Sequence, residues 1–296
     1  MHSQIPYRCC PGLYPGLFGL FMLFVSITVS AQSSVWQISK GDKVLYIGGT
    51  IHVLGQDDYP LPEEFDQAFS EAGKLVFETD ITEVKSPAFG QKMMQQMLYP
   101  AGQSLKDELD KPTYERLADY FSDKIPMSQI DGLKPGMVVL MLSAIEFQRI
   151  GMVLAGVDEH FWGLAVNNNK AIGTLETLDE QLAFIVNMGE GRENELIMNT
   201  LDDIKRTEAI ILSLLTAWRA GDEPEMERLL LQEMIDDYPQ LYQNLLVKRN
   251  NNWLPSIEAM IQNEEVEFVL VGTLHLIGDD GLLQQLRDKG YKVSQY

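Results

Sequence analysis

The chain is poor in the residues that most readily carry chemistry. Of 296 residues only two are cysteine and four are histidine. Both cysteines, Cys9 and Cys10, precede the apolar run from Leu17 to Val29. A lipid-bearing cysteine follows such a run, so lipidation is not expected. Beyond residue 31 no cysteine remains, which excludes a disulfide, a zinc–thiolate site and a thiol nucleophile. A chain of this length builds its core without such staples. Basic side chains are also scarce, 23 Lys and Arg against 43 Asp and Glu, for a formal charge of −20. That field repels nucleic acid and anionic headgroups, and leaves a peptide or small molecule as substrate and cations as ligands. Beyond residue 31 no run is long and apolar enough to span a bilayer, so no stable membrane span is expected there. The stretch Met137 to Ile145 is broken by Ser143 and reads as a buried helix face. HExxH is missing, so an ordinary zincin is excluded.

Residues 1–31 read as a signal peptide. Arg8 supplies the positive n-region, Leu17 to Val29 the apolar h-region, and Val29-Ser30-Ala31 the small residues that a signal peptidase recognises. The h-region is shorter than the roughly 20 residues of a spanning helix. The expectation is an exported protein, periplasmic or secreted, that begins near Gln32.

Residues 32–296 read as one α/β domain with a helical insertion around 90–262, since no low-complexity linker divides them. Lys43–Gly48 and Lys74–Phe77 are short apolar runs that predict buried strands. Between them Pro62, Glu63 and Glu64 open a helix whose apolar face is Phe65, Ala68, Phe69 and Ala72. Lys170–Leu175 predicts a further strand, and Thr177 with Glu180 forms a capping box that starts the next helix. Ile197, Leu201, Ile204, Ile211, Leu215 and Trp218 keep a helical period that Gly221 ends. Glu267–Val271, the helix Gly281–Lys289 and the strand Tyr291–Ser294 repeat the opening pattern. The fold class is therefore α/β: a mixed, mostly parallel sheet built from terminal βαβ units around a helical middle.

Two loops stand out. Gly49-Thr50-Ile51-His52-Val53-Leu54-Gly55-Gln56-Asp57 and Gly272-Thr273-Leu274-His275-Leu276-Ile277-Gly278-Asp279-Asp280 agree at five of nine positions, and each follows an apolar strand. A lone histidine after a strand is more often structural than functional. A duplicated loop is different, because ligands of open α/β sheets bind beyond the C-terminal strand ends and structural need rarely repeats a whole loop. Two imidazoles brought together there would bind a divalent metal, or act as base and electrophile on one substrate. His160 lacks such a context and reads as a packing residue.

With these motifs in place, the chain resembles the TraB/GumN family, whose animal relatives are the Tiki proteins. The resemblance runs through Trp36-Gln37-Ile38-Ser39-Lys40-Gly41, the first GTxH loop, Phe77-Glu78-Thr79-Asp80, Gly156-Val157-Asp158, Leu175-Glu176-Thr177 with Gln181, and Arg249-Asn250. It closes with the second GTxH loop, Asp280-Gly281-Leu282-Leu283 and Gly290-Tyr291. What it implies is an erythromycin-esterase-like and Tiki-like scaffold and a metal-dependent hydrolase, peptidase or amidase. His52, Glu78 and His275 match the motif residues and would bind Mn, Co, Fe or Zn. Glu78 is open between ligand and general base, Glu176 between an outer-sphere or substrate contact and a solvated carboxylate, and Arg249 between oxyanion or carboxylate partner and an exposed helix arginine or a salt bridge. Asp80, Asp158 and Gln181 read as structural. Two alternatives stand beside this reading: a metal-free hydrolase with a His/Glu pair activating water, and a non-catalytic peptide- or haem-binding protein of the cell envelope.

Overall fold

The computed structural model of the chain describes residues 33–296. The expected signal peptide, with its Val29-Ser30-Ala31 site, lies outside them. Eight strands run β1 (Val35–Lys40), β2 (Lys43–Thr50), β3 (Val53–Leu54), β4 (Lys74–Phe77), β5 (Leu154–Ala155), β6 (Ala171–Thr174), β7 (Glu267–Gly272) and β8 (Lys292–Gln295). Six form one sheet in the order β6-β4-β7-β2-β1-β8, and β3 pairs with β5 in a small antiparallel ladder.

The most apolar strands take the middle. β4, β7 and β2 are buried almost throughout, as parallel strands covered on both faces must be, while the β6 edge stays half-exposed. The pairs β6–β4, β4–β7 and β7–β2 are parallel, and β1 runs antiparallel to both β2 and β8. The sheet is thus mixed and mostly parallel, as the sequence predicts. One neighbour differs. β8 does not lie beside β7, because β2 and β1 stand between them. The reason is a tight turn at Gly41-Asp42, whose glycine has φ +66°; it folds β1 onto β2 with Lys40 opposite Lys43 and leaves the far side of β1 for β8.

The crossover from β2 to β4 is the helix Glu63–Glu71, with Pro62 at its N-cap, acidic residues in its first turn, and Phe65 and Ala68 buried. The single long helix expected from Ile197 to Trp218 is instead two helices, Glu193–Asp203 and Thr207–Ala220. Ile197 and Leu201 pack in a helical cluster with Phe121, Leu133 and Leu142, whereas Leu215 and Trp218 pack against the sheet with Phe65 and Phe268. The apolar period continues across the break because both halves are buried, but in different cores. Further on, the chain passes through the π-helical turn Gln243–Val247 into the helix Lys248–Gln262, which lies over β2 and brings Arg249, Asn250 and Trp253 into the interior.

Candidate active site

Four parallel strands end at the same edge of the sheet, and each delivers one polar side chain just beyond its end. β6 leads to Glu176, β4 to Glu78, β7 to His275 and β2 to His52. This is the edge where open α/β sheets bind ligands. Three of the four, Glu78, His275 and His52, converge on Gly272. A Cβ built there would stand 3.2 Å from Glu78 Oε1 and 3.7 Å from both His275 Cδ2 and His52 Nε2. Those two ring atoms are therefore no further apart than twice 3.7 Å, inside the roughly 8 Å that two ligands of one ion and their rings can span. A side chain at 272 would press on Glu78 Oε1, which would have to give by a few tenths of an ångström.

The two GTxH loops, alike in sequence, differ in conformation. β2 and β7 pair with Gly49 opposite Val271 and Thr50 opposite Gly272, one residue out of step with the sequence repeat. His275 closes a 3-10 turn and is 4% exposed, while the His52 side chain is 63% exposed at the wall of a cleft. The threonines differ too: Thr273 Oγ1 donates to the Thr50 carbonyl at 3.0 Å, and Thr50 Oγ1 is buried with no partner among the described residues.

Each imidazole is held through Nδ1. Asn250 uses its amide hydrogens on the His275 and Asp280 carbonyls, so its Oδ1 accepts from His275 Nδ1–H at 2.7 Å. The His275 Nε2 lone pair then faces the site and accepts from Arg249 Nη1 at 2.9 Å. His52 Nδ1 lies 3.2 Å from Asp158 Oδ1. Asp158 reaches it because the helix Val157–Asn167 starts against the loop: Val157 N–H donates to the Ile51 carbonyl, and a Cβ on Gly156 would come within 2.2 Å of that oxygen. Partial desolvation by the cleft wall opposes protonation of the largely exposed His52 ring, but the carboxylates of Asp158 and Glu78 outweigh it and raise its pKa.

Arg249 is the hub. Its guanidinium donates to Glu78 Oε2 at 2.6 Å, to both oxygens of Glu176 at 2.6 and 3.0 Å, and to the Leu245 carbonyl at 3.2 Å, and it stacks over the Trp253 ring. The second oxygen of Glu78 accepts from Gly272 N–H at 2.6 Å. Burial would raise the Glu78 pKa, yet the charges of His275, Arg249 and His52 and the Gly272 N–H hold it well below the usual carboxylate range. His275 is neutral at ordinary pH, so Arg249 carries most of that effect there. Glu176 moves the other way: burial raises it, and Arg249 offsets only part of the rise. The solvated-carboxylate reading of Glu176 and the exposed-helix reading of Arg249 therefore do not hold, since both are enclosed, whereas Arg249 does form salt bridges, buried ones to Glu78 and Glu176. Asp80 is structural, capping the helix Ile81–Val84, and His160 packs beside Tyr59. Asp158 and Gln181, read as structural, both reach the cluster, Gln181 at 3.4 Å from Glu78. Asn250 and Trp253 have no sequence signal beyond their place beside Arg249.

His52, Glu78, Asp158, Gln181, Arg249 and His275 line a cleft of about 660 Å³ whose other walls are mostly apolar, among them Ile51, Phe147, Phe184, Ile211, Leu230 and Leu246. A polar cluster within a largely apolar cavity of this size is the usual form of a small-ligand or substrate site.

Burial drives the His275 pKa from 6.5 down to about 3. Between those values the unfolded chain binds a proton that the folded chain does not, so stability is lost as pH falls through this window. The expected slope from pH 6 to pH 5 is up to about 1.4 kcal/mol per unit, read from urea unfolding at each pH. His275→Gln should remove most of it; His160 and Glu78, both lowered, add to what remains, and His52, raised, opposes it. A wild-type slope that survives the substitution would contradict a buried neutral His275.

The model of the TraB/PrgY/gumN family matches residues 34–295. The uncharacterized protein YbaP of Escherichia coli is 24% identical over 256 residues, covering 83% of this chain and 89% of its own length. Metalloproteases TIKI2 and TIKI1 of Danio rerio are 25% and 24% identical, over 84% and 88% of this chain. The matches take in only 57% and 63% of those two longer proteins. No solved structure matches the chain.

Proposed function

The chain belongs to the TraB/PrgY/gumN family, and from that premise we propose that it is an exported, metal-dependent hydrolase of the cell envelope, a peptidase or amidase. The observation that carries the reading is the convergence of His52, Glu78 and His275 on Gly272, with both ring Nδ1 atoms tied back. Relatives named metalloproteases support it. Export rests on the Leu17–Val29 run and the Val29-Ser30-Ala31 site; no helix among the described residues is long and apolar enough to cross a membrane. The acidic charge favours a neutral or cationic substrate over nucleic acid.

The donor set suits a divalent ion of the Mn, Co, Fe or Zn class. Two histidines oriented through Nδ1, with both Nε2 atoms toward the site although that of His275 is engaged by Arg249, plus one carboxylate form such a set, and Asp158 and Asn250 are the outer partners that fix the tautomers. Glu78 Oε1 and His275 Nε2 are 4.0 Å apart, within the span of two ligands each about 2.1 Å from one ion. Among the described residues no three such groups are already closed around a point, because Arg249 sits between Glu78 and His275 and uses the Nε2 lone pair. One lone pair serves one partner, so a metal on His275 requires Arg249 to leave it while keeping Glu176.

Bound there, the ion would supply the Lewis acidity that activates water and polarises the carbonyl. The remaining tasks fall to the chain. Hydrolysis takes a proton from the attacking water and delivers one to the departing nitrogen as the C–N bond breaks. Glu78, held low, stays an anion and suits a ligand. Glu176, raised by burial, is the carboxyl suited to carry the proton; two carboxylates with affinities pushed apart are the pattern of such a division. Arg249, released from His275, directs N–H donors at the carbonyl oxygen as it becomes an oxyanion. A second reading draws on the Arg249–His275 contact. If Arg249 stays, His52 with Asp158 activates water directly once His52 has lost its proton, so activity should rise toward alkaline pH and survive chelator.

Asp158→Asn separates the two. The substitution keeps an acceptor for His52 Nδ1 and removes the charge. The expected loss is about 10–100-fold in affinity for Mn²⁺ or Co²⁺ by calorimetric titration. Unchanged affinity would overturn His52 as a ligand.

A further inference from the structure

A second cavity, of about 530 Å³, adjoins the cleft. Phe184 and Leu245 line both spaces, so these two side chains form the wall between them. Phe184 belongs to the helix Leu178–Val186, which begins directly after Glu176, and Leu245 belongs to the π-helical turn that leads to Arg249. Arg249 touches both: its guanidinium lies 5.7 Å from the Phe184 ring centre and donates to the Leu245 carbonyl. The wall is therefore attached to the residue at the centre of the polar cluster. Such π-helical turns are frequent at functional sites, because the extra residue displaces side chains and carbonyls from regular helical positions.

The two cavities differ in chemistry. The cleft is mainly apolar around its polar floor. The second space is lined by the carboxamides of Asn187, Gln240 and Asn244, with Leu196 and Leu241 between them. Gln240 Nε2 donates to Asn244 Oδ1 at 3.1 Å, an arrangement that leaves Gln240 Oε1 and Asn244 Nδ2 for a ligand. Carboxamides offer both a donor and an acceptor, as a peptide unit does. The nearby charges are partly self-cancelling, with Arg192 Nε on Glu195 at 2.6 Å.

The geometry points to a second subsite, in which an extended peptide continues from the reacting centre across the Phe184–Leu245 wall and has its backbone amides bound by Asn187, Gln240 and Asn244. This deepens the hydrolase reading and rests on it for the direction of the substrate: an apolar segment in the cleft, a backbone-bound segment beyond. It makes the protein selective for peptide chains over small amides, since a small amide fills only the first space.

The test uses binding, so that it stands apart from turnover. Chelator-treated protein is titrated with two capped probes, acetyl-Leu-Leu-amide and an acetylated octapeptide amide with Leu-Leu at its centre. The long probe should bind at least tenfold tighter. Asn187→Trp and Leu241→Trp, each of which fills the second space, should abolish that advantage and leave the short probe unchanged. Equal affinities, no binding of either probe, or an advantage that survives both substitutions would overturn the subsite. A length advantage in a protein that never cleaves peptides would uphold the subsite and sink the hydrolase reading. Cleavage of short and long probes at equal efficiency, with no length effect on binding, would do the reverse.

Discussion

Arg249→Ala should destabilise the protein by about 3–5 kcal/mol, the usual cost of removing one partner from a buried ion pair. Arg249 is 4% exposed, and its guanidinium is the counter-charge within hydrogen-bond reach of Glu78 and Glu176. Without it, two buried carboxylates face each other across the space it leaves, and at least one must take up a proton for the fold to persist. Arg249→Lys should recover only part of the loss, because an ammonium cannot bridge both carboxylates and His275 in one plane. Adding Glu176→Gln to Arg249→Ala should restore stability, since it removes one of the stranded charges. Urea unfolding of the four proteins at pH 7 measures this. A loss below about 1 kcal/mol for Arg249→Ala, the range of exposed pairs, would show that water reaches the cluster freely.

The sheet was largely legible because its central strands are continuous apolar runs, and such runs have few other places to go. KVLYIG, KLVF and EFVLV all became neighbouring parallel strands. The functional edge was legible for the same reason: a polar residue directly after a buried strand has to lie at the sheet's rim, where His52, Glu78, Glu176 and His275 all lie. The β1–β2 hairpin escaped notice although Gly41-Asp42 between two apolar runs is a turn signal, and with it went the position of β8. The break after Asp203 was hidden, because periodicity reports burial and not which core does the burying.

The repeat of GTxH suggested equivalent histidines, but the one-residue offset between β2 and β7 and the 3-10 turn at His275 make one ring buried and the other accessible. His275 packs its ring 4.4 Å from that of Trp253 and bonds to Asn250, so it belongs to the packed interior as well as to the site. The partners of both rings, Asp158 and Asn250, come from sequence-distant helices; the family resemblance runs through both, but nothing in the sequence says which ring each one meets. What singled out Arg249 was its place in the family resemblance; its role as the hub of two carboxylates is a property of the fold.

Glu78→Gln and His275→Gln should each lower hydrolysis of a peptide substrate by at least about 10³-fold, the scale on which groups acting as a unit fail when one is lost. Glu78 links the Gly272 N–H and Arg249 and is a ligand in the proposed metal set, so a neutral amide in its place turns a donor toward one of two existing donors and removes the anion. His275→Gln removes the Nε2 lone pair that faces the site. Both variants should keep a cooperative unfolding transition, with losses in the usual range of about 1–3 kcal/mol. The direct measurement is bound metal per chain and the rate of peptide-bond cleavage on the same samples of wild type and both variants. The account predicts about one ion per wild-type chain with measurable cleavage, and both lost together in each folded variant. Wild-type cleavage that persists unchanged in Glu78→Gln and His275→Gln would contradict it.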